Sequence, residues 1–257
     1  MIEERKIMSI IDSYDESEEI VKAEICTAGQ KKLPSIAITC FKTELIELVK
    51  NSDNFEKYSE LYVCGEEIKI YKTQMEGKDI IVYRTLVGGP ATTAMMEELH
   101  ARGVETFIIF GSCGGLTSNL KKGAFIIPTE AYRDEGTSYH YIPNSDFVEI
   151  DTATELAKIF EENGVLYELT KTWTTDALYK ETKDKLKDRV NRGCKVVEME
   201  CASIMAVAKS RGFKAYQFLY TDDTLEGNTW DMKTLAEDRT IILKECLNIA
   251  LEVVKKI

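Results

Sequence analysis

The segment FIIFGSCGGL, residues 107–116, decides the fold, because large apolar residues give way abruptly to small ones. Together with the preceding residues it forms a continuous apolar run at 105–111, typical of a strand covered on both faces of a parallel sheet. The GSCGG that follows predicts a tight turn that exposes backbone N–H groups and the Ser112 hydroxyl. Such a turn suits an oxyanion or a sugar hydroxyl, although the local sequence alone favours a plain tight turn between two buried strands.

Strands and helices alternate on both sides of this segment. Predicted strands lie at 34–40, 105–111, 123–133, 165–173, 194–200 and 213–223. Predicted helices lie at 42–52, 90–103, 151–164, 201–212 and from Trp230 to the C-terminus. A period-two pattern on either side of Gly77 predicts a hairpin. The alternation predicts an α/β single domain at 34–257, a three-layer α/β/α sandwich with a mixed central sheet, preceded by an N-terminal arm at 1–33.

The composition limits the possible partners. Apolar residues make up 44% and charged residues 30% of the 257 residues, and the net charge of −11 opposes nucleic acid and anionic membranes. Seven scattered cysteines without a CxxC pair indicate reduced thiols. The N-terminus lacks the apolar core of a signal peptide, and no apolar run approaches the length of a membrane span. We therefore expect a soluble cytoplasmic protein.

Two further predicted strand ends carry acidic residues. VVEMECAS places Glu198 and Glu200 on the same side of a strand, where a carboxylate can hold two vicinal hydroxyls. An interaction with the dipole of the following helix explains these glutamates equally well. TDDTL places Asp222 and Asp223 after an apolar strand, where burial could produce a general acid, although capping of a turn is the more common use. Sites in open α/β sheets gather at such strand ends.

Taken in order, five motifs resemble the nucleoside phosphorylase family of the hexameric purine and uridine type. They are GGPATTAMMEEL (88–99), GSCGG (111–115), TTDALYKET (174–182), VEMECAS (197–203) and DDTL (222–225). The resemblance extends from about residue 34 to the C-terminus. It implies the family's fold and its reaction, in which phosphate cleaves the N-glycosidic bond of a nucleoside to give free base and ribose 1-phosphate.

The resemblance also implies site residues. It assigns phosphate binding to Ser112, ribose binding to Met199 and Glu200, and the base pocket to Cys113, Gly114, Leu178 and Val197. Asp223 follows Glu200 by 23 residues, the spacing of the catalytic acid in purine members, and would protonate the leaving base. The Gln and Arg pair that reads uracil in uridine enzymes has no match at 165–182. A purine nucleoside is therefore the expected substrate and uridine a less expected one.

The phosphate site departs from the family pattern. Ile109 stands where an Arg precedes the GSCG turn, and CFKTE (40–44) replaces the GDPxR motif of the family. The segment ELYVCGEE, where a neighbouring subunit would supply a third Arg, has none. Lys42, Arg84 and Arg133 are the candidate replacements, and Arg133 lies in RDEGTSYHY, which also has a counterpart in the family.

Three functions remain open on the sequence alone: a nucleoside phosphorylase, a nucleosidase that uses water, and a non-catalytic nucleoside-binding relative. The phosphorylase is the expected one, with inorganic phosphate as co-substrate, no metal and no organic cofactor. A nucleophilic pair of Cys113 and His140 is set aside because no third residue orients it. The resemblance implies a homo-oligomer, either a dimer or a hexamer.

Overall fold

The computed structural model of the chain describes residues 9–117, 120, 123–225, 230–231 and 240–257. The strands are β1 Ile36–Cys40, β2 Glu56–Val63, β3 Glu66–Met75, β4 Lys78–Arg84, β5 Thr106–Gly115, β6 Phe125–Asp134, β7 Phe147–Glu149, β8 Tyr167–Thr175, β9 Cys194–Glu198 and β10 Lys214–Thr224. The helices are α1 Ala23–Cys26, α2 Thr43–Lys50, α3 Gly89–Ala101, α4 Ser138–Tyr141, α5 Ala153–Glu162, α6 Lys183–Asn191, α7 Cys201–Arg211 and α8 Thr240–Lys256. Short 3₁₀ turns lie at Ile10–Asp12 and Leu178–Lys180.

The strands form one mixed sheet in the order β10-β6-β8-β9-β5-β1-β4-β3-β2, and β7 pairs with β6. Strand β10 also pairs in parallel with β5, so β5, β9, β8, β6 and β10 close into a ring. From this ring, β1 and the meander β4-β3-β2 extend as an open wing. The ring brings strand ends from distant parts of the chain to one edge.

Helices cover both faces of the central strand β5. Phe107 packs on Phe213, which in turn packs on His100 of α3. Phe110, three residues on and therefore on the opposite face, stacks on Phe218, which contacts Phe160 of α5. The predicted α/β fold with helices against a mixed central sheet is confirmed.

The predicted turn at 111–115 is wrong, because β5 continues to Gly115. Gly114 pairs with Val197 of β9 on one side and with Asp223 of β10 on the other. A Cβ atom at Gly114 would lie 3.1 Å from Val197 Cγ1, 3.2 Å from Asp223 Oδ1 and 3.3 Å from Leu225 Cδ1. Gly114 therefore has to be small, because its neighbours on β9 and β10 leave no room for a side chain inside the ring.

Other predicted boundaries differ more locally. The hairpin at Gly77 is confirmed, with φ of 79° at that glycine. The pattern missed β2, β7, α4 and α6. The predicted start of the last helix at Trp230 is wrong, because Asp231 forms an isolated bridge with Thr224; residues 232–239 lie outside the described ranges. Over the part of the chain that is described, no helix is both long and apolar enough to cross a membrane.

Candidate active site

A cavity of about 380 Å³ opens where the ends of β1, β5, β8, β9 and β10 meet. Its polar and charged walls are Lys42, Ser112, Cys113, Tyr179, Glu181, Glu198, Glu200, Asp222, Asp223 and Trp230. Its other walls are Phe41, Val87, Gly114, Leu178, Val197, Met199 and Leu225. Residues separated by more than 180 positions in the chain thus share one small space.

The structure brings together most of the residues that the motifs single out. The positions that line this one cavity are Lys42, Ser112, Cys113, Gly114, Leu178, Val197, Met199, Glu200 and Asp223. In particular, Glu200 and Asp223 face the same cavity, as a sugar-binding carboxylate and a nearby acid require. The individual roles of these residues remain predictions.

Glu200 is a buried carboxylate with one fixed hydrogen bond. Its Oε1 accepts the backbone N–H of Gly88 at 2.7 Å, and Gly88 adopts φ of 96°, which glycine reaches without strain. Burial, reinforced by the neighbouring Glu198, raises the pKa of Glu200 to about 8. The Glu200 side chain lines the cavity, where its carboxyl group can bind hydroxyl groups.

Glu198 has a structural role. The prediction that one strand carries both glutamates is wrong, because β9 ends at Glu198 and Glu200 is the cap residue of α7, although both side chains line the cavity. Its Oε2 accepts the backbone N–H groups of Glu200 and Cys201 at 2.7 and 2.6 Å, at the beginning of α7. Its Oε1 accepts the hydroxyls of Thr172 and Thr174. Four donors converge on this one carboxylate, which therefore anchors α7 to β8 and positions Glu200, the residue that caps the helix.

Asp223 lies beside Val197 and Leu225 where these residues surround Gly114, and Glu181 lines the same cavity. The Trp230 indole N–H donates to Asp223 Oδ2 at 2.6 Å, while Asp223 Oδ1 lies against Gly114. Burial, followed by repulsion from Asp223, raises the pKa of Glu181 to about 7.

Glu181 was missed at the sequence level, although it stands inside the TTDALYKET motif. Its position after a short 3₁₀ turn gave no periodic signal.

The Cys113 thiol is not an available nucleophile. It is buried, its Sγ donates to the Tyr220 carbonyl at 3.5 Å, and burial raises its pKa well above the usual range. His140 lies elsewhere, in a surface groove beside the N-terminal segment at 14–26. Cys113 and His140 therefore line different pockets, and the structure does not support a nucleophilic pair of these two residues.

Arg133 does not line the cavity, so the prediction that it binds phosphate there is wrong. Its guanidinium donates to Ser138 Oγ at 2.8 Å, the Pro143 carbonyl at 2.7 Å and Ser145 Oγ at 3.0 Å, and it stacks on the Tyr139 ring. Arg133 is thus held by its own loop, whereas the neighbouring acids of RDEGTSYHY bind other elements: the Trp173 indole N–H donates to Asp134 and the Ser203 hydroxyl donates to Glu135.

Arg84 also lies outside the cavity, contrary to its candidacy. It lines a separate surface depression beside α2, and its nearest carboxylate oxygen, on Glu66, is 3.9 Å away. By contrast, Lys42 caps the N-terminus of α2 and lines the cavity together with Ser112. Of the three candidate cations, only Lys42 is positioned for a ligand in this site.

Comparisons with known proteins show the family to which the chain belongs. A family model described as the phosphorylase superfamily matches residues 35–255. A guanosine phosphorylase from Halorubrum lacusprofundi is 31% identical over 169 residues, which cover 65% of this chain and 70% of that protein. A uridine phosphorylase from Escherichia coli is 27% identical, and the match covers 58% of this chain but only 65% of that protein.

A solved structure shares the fold. The crystal structure of a purine nucleoside phosphorylase from Toxoplasma gondii in complex with immucillin-H superposes with a TM-score of 0.72 over 87% of this chain and 90% of that chain, at 19% identity.

Proposed function

The chain belongs to the phosphorylase superfamily, and we propose that it uses phosphate to cleave the N-glycosidic bond of a purine nucleoside, giving free base and ribose 1-phosphate. The observation that carries this proposal is the shared cavity of Glu200 and Asp223. The space is large enough for one small ligand, and the proposal assigns Glu200 to the sugar and Asp223 to the base.

The reaction builds positive charge on the sugar and negative charge on the leaving base. Glu200 binds the 2′- and 3′-hydroxyls through its second oxygen, with Met199 against the sugar. Leu178, Val197 and the backbone at Gly114 contact the base. A proton from the Asp223 end of the cavity neutralises the base as the C1′–N bond breaks. The attacking phosphate oxygen then forms the new bond to C1′, and the electron pair of the broken bond stays on the base.

Phosphate binding is proposed at the Lys42 end of the cavity. Lys42 and the Ser112 hydroxyl face the same space, and α2 begins directly after Lys42. The N-terminus of a helix supplies unpaired N–H groups and a partial positive charge that favour an anion. These groups would take over from the arginines that the sequence lacks at the family positions.

A purine is favoured over uracil as the leaving base. The imidazole ring of a purine offers a nitrogen that accepts a proton from a carboxyl group, and Asp223 is positioned at the base end. The guanosine phosphorylase from Halorubrum lacusprofundi is among the relatives, which agrees with this choice. Because a uridine phosphorylase is also among the relatives, any test of substrate specificity has to include uridine.

Hydrolysis is a second candidate function because of the charge of the cavity. Among its described lining residues, Lys42 is the one cation, against five carboxyl groups at Glu181, Glu198, Glu200, Asp222 and Asp223. The negative charge of these carboxyl groups disfavours the binding of phosphate, which is itself an anion, and favours neutral water as the attacking group.

One experiment separates these functions. The protein is incubated with inosine, guanosine, adenosine and uridine, with and without phosphate, and free base and ribose 1-phosphate are quantified. The proposal expects purine release that requires phosphate. Equal release without phosphate would establish hydrolysis, release from uridine alone would refute the purine assignment, and tight binding without turnover would refute catalysis.

A further inference from the structure

We propose that Glu181 and Asp223 act as one acid, a carboxyl pair that holds a single proton for the leaving base, with Glu181 carrying that proton in the empty cavity. This inference rests on the proposed function and assigns a role to Glu181, which the motifs left without one. Both side chains line the same cavity, next to the apolar residues proposed to contact the base.

The first step of the argument concerns Asp223. An indole N–H can only donate a hydrogen bond, so Asp223 Oδ2 serves as an acceptor for Trp230. Asp223 Oδ1, which lies against the Gly114 backbone, is the oxygen left for the base or for the shared proton.

The second step concerns Glu181. It is half-buried, and its charged form is disfavoured by burial and by the negative charge of Asp223. The cation that acts on it is Lys185 of α6, but Lys185 Nζ donates to Asp134 Oδ2 at 2.9 Å. The other charged groups of the described cavity walls are Lys42, Glu198, Glu200 and Asp222. Because the two carboxyl groups line one cavity and the negative charge of Asp223 disfavours the charged form of Glu181, the proposal treats them as one coupled pair.

The proton balance follows. As the C1′–N bond breaks, its electron pair moves onto the purine ring, and the pair transfers its one proton to the ring nitrogen. Both carboxyls are then ionised, and Glu181 regains a proton from water after the base leaves.

The test compares Glu181→Gln, Asp223→Asn, the double variant and the wild type on guanosine and on N7-methylguanosine. The methylated base already carries positive charge and needs no proton to leave. We expect each single variant to lower kcat/KM for guanosine by roughly 10²–10⁴. The kcat/KM for N7-methylguanosine should stay within a few fold of the wild-type value. On guanosine, the kcat/KM of each single variant should be as low as that of the double variant. Asp184→Asn, an exposed acid of the same segment outside the cavity, is the matched control.

The pH profile gives a readout that a structural role would not move. The protonated pair is present below about pH 7 and is lost as the pH rises through the pKa of Glu181, which is about 7. The ratio of wild-type to Glu181→Gln kcat/KM for guanosine should therefore fall above pH 7. Glu181→Asp keeps a carboxyl group, so its kcat/KM for guanosine should still decrease above pH 7. Equal losses on both nucleosides, or a ratio independent of pH, would overturn the pair while leaving phosphorolysis intact.

A failure of the proposed function is recognised separately, as absence of base release by the wild type from any nucleoside. In that case carbon-13 NMR of the carboxyl groups, assigned with Glu181→Gln, tests the pair directly. We expect the carboxyl signal that is lost in Glu181→Gln to titrate near pH 7 in the wild type and at lower pH in Asp223→Asn. Titration of Glu181 in the ordinary range of glutamates would overturn the proposal.

Discussion

Replacing Glu200 by Gln tests the proposed ribose contact most directly. Because the Gly88 N–H requires an acceptor, the amide oxygen of Gln would face Gly88, and its NH₂ group would face the sugar. The sugar hydroxyls would then lose a carboxylate acceptor. The change is nearly isosteric and leaves the anchor formed by Glu198 in place.

The expected magnitude follows from two terms. Two hydroxyls bound to an ionised carboxylate are worth about 1.5–3 kcal/mol each, or about 3–6 kcal/mol together. Ionising Glu200 at pH 7, one unit below its pKa of about 8, costs about 1 kcal/mol. The net loss is about 2–5 kcal/mol, a roughly 30- to 4,000-fold fall in kcat/KM at pH 7.

The assay compares a ribonucleoside with its 2′,3′-dideoxy analogue in the wild type and in Glu200→Gln. The fall should appear with the ribonucleoside and be nearly absent with the analogue, which has no hydroxyls to lose. For the wild type, kcat/KM for the ribonucleoside should rise with pH up to about 8 relative to the variant, because the ionised form binds. The reasoning is refuted if both substrates lose activity equally, since Glu200 would then act only on the structure of the site.

Three further predictions concern the surroundings of the cavity. Lys42→Met should raise the KM for phosphate roughly 10- to 100-fold through loss of one charge-assisted contact, whereas Arg84→Met, outside the cavity, should leave it unchanged; equal effects would remove Lys42 from the phosphate site. Glu198→Gln should lower the free energy of unfolding in urea by about 1–3 kcal/mol because at least one buried donor loses its acceptor, and an unchanged midpoint would contradict the anchoring role. In the native protein, a thiol reagent should modify Cys26 and Cys64 quickly and the five buried cysteines only after unfolding; rapid modification of Cys113 would contradict its burial.

The motifs predicted the fold and the cavity because they lie at the ends of strands, where the cavity forms. Cys113, Val197 and Glu200 stand beside recognisable apolar runs, so their elements could be inferred from pattern alone. The continuation of β5 to Gly115 could not, because glycine-rich sequence has no strand propensity and the pairing depends on β9 and β10 lying on either side. Tertiary packing there overrides local preference.

Charged residues were the least predictable part of the site. Arg133 and Arg84 were plausible phosphate ligands by residue type, but the direction of a side chain from its strand decides what it meets. Arg133 turns into the loop at 138–145, and Arg84 turns towards α2. Glu181 was overlooked for the opposite reason, since nothing around it in sequence shows that Asp223 lies nearby.

The ring of β5, β9, β8, β6 and β10 bears on how the protein is made. Strand β10 is the last of the five to leave the ribosome, and it closes the ring by pairing with both β5 and β6. The same strand carries Asp223 into the cavity. A nascent chain that ends before Lys214 therefore has neither a closed ring nor a complete cavity, so the cavity is completed late in synthesis.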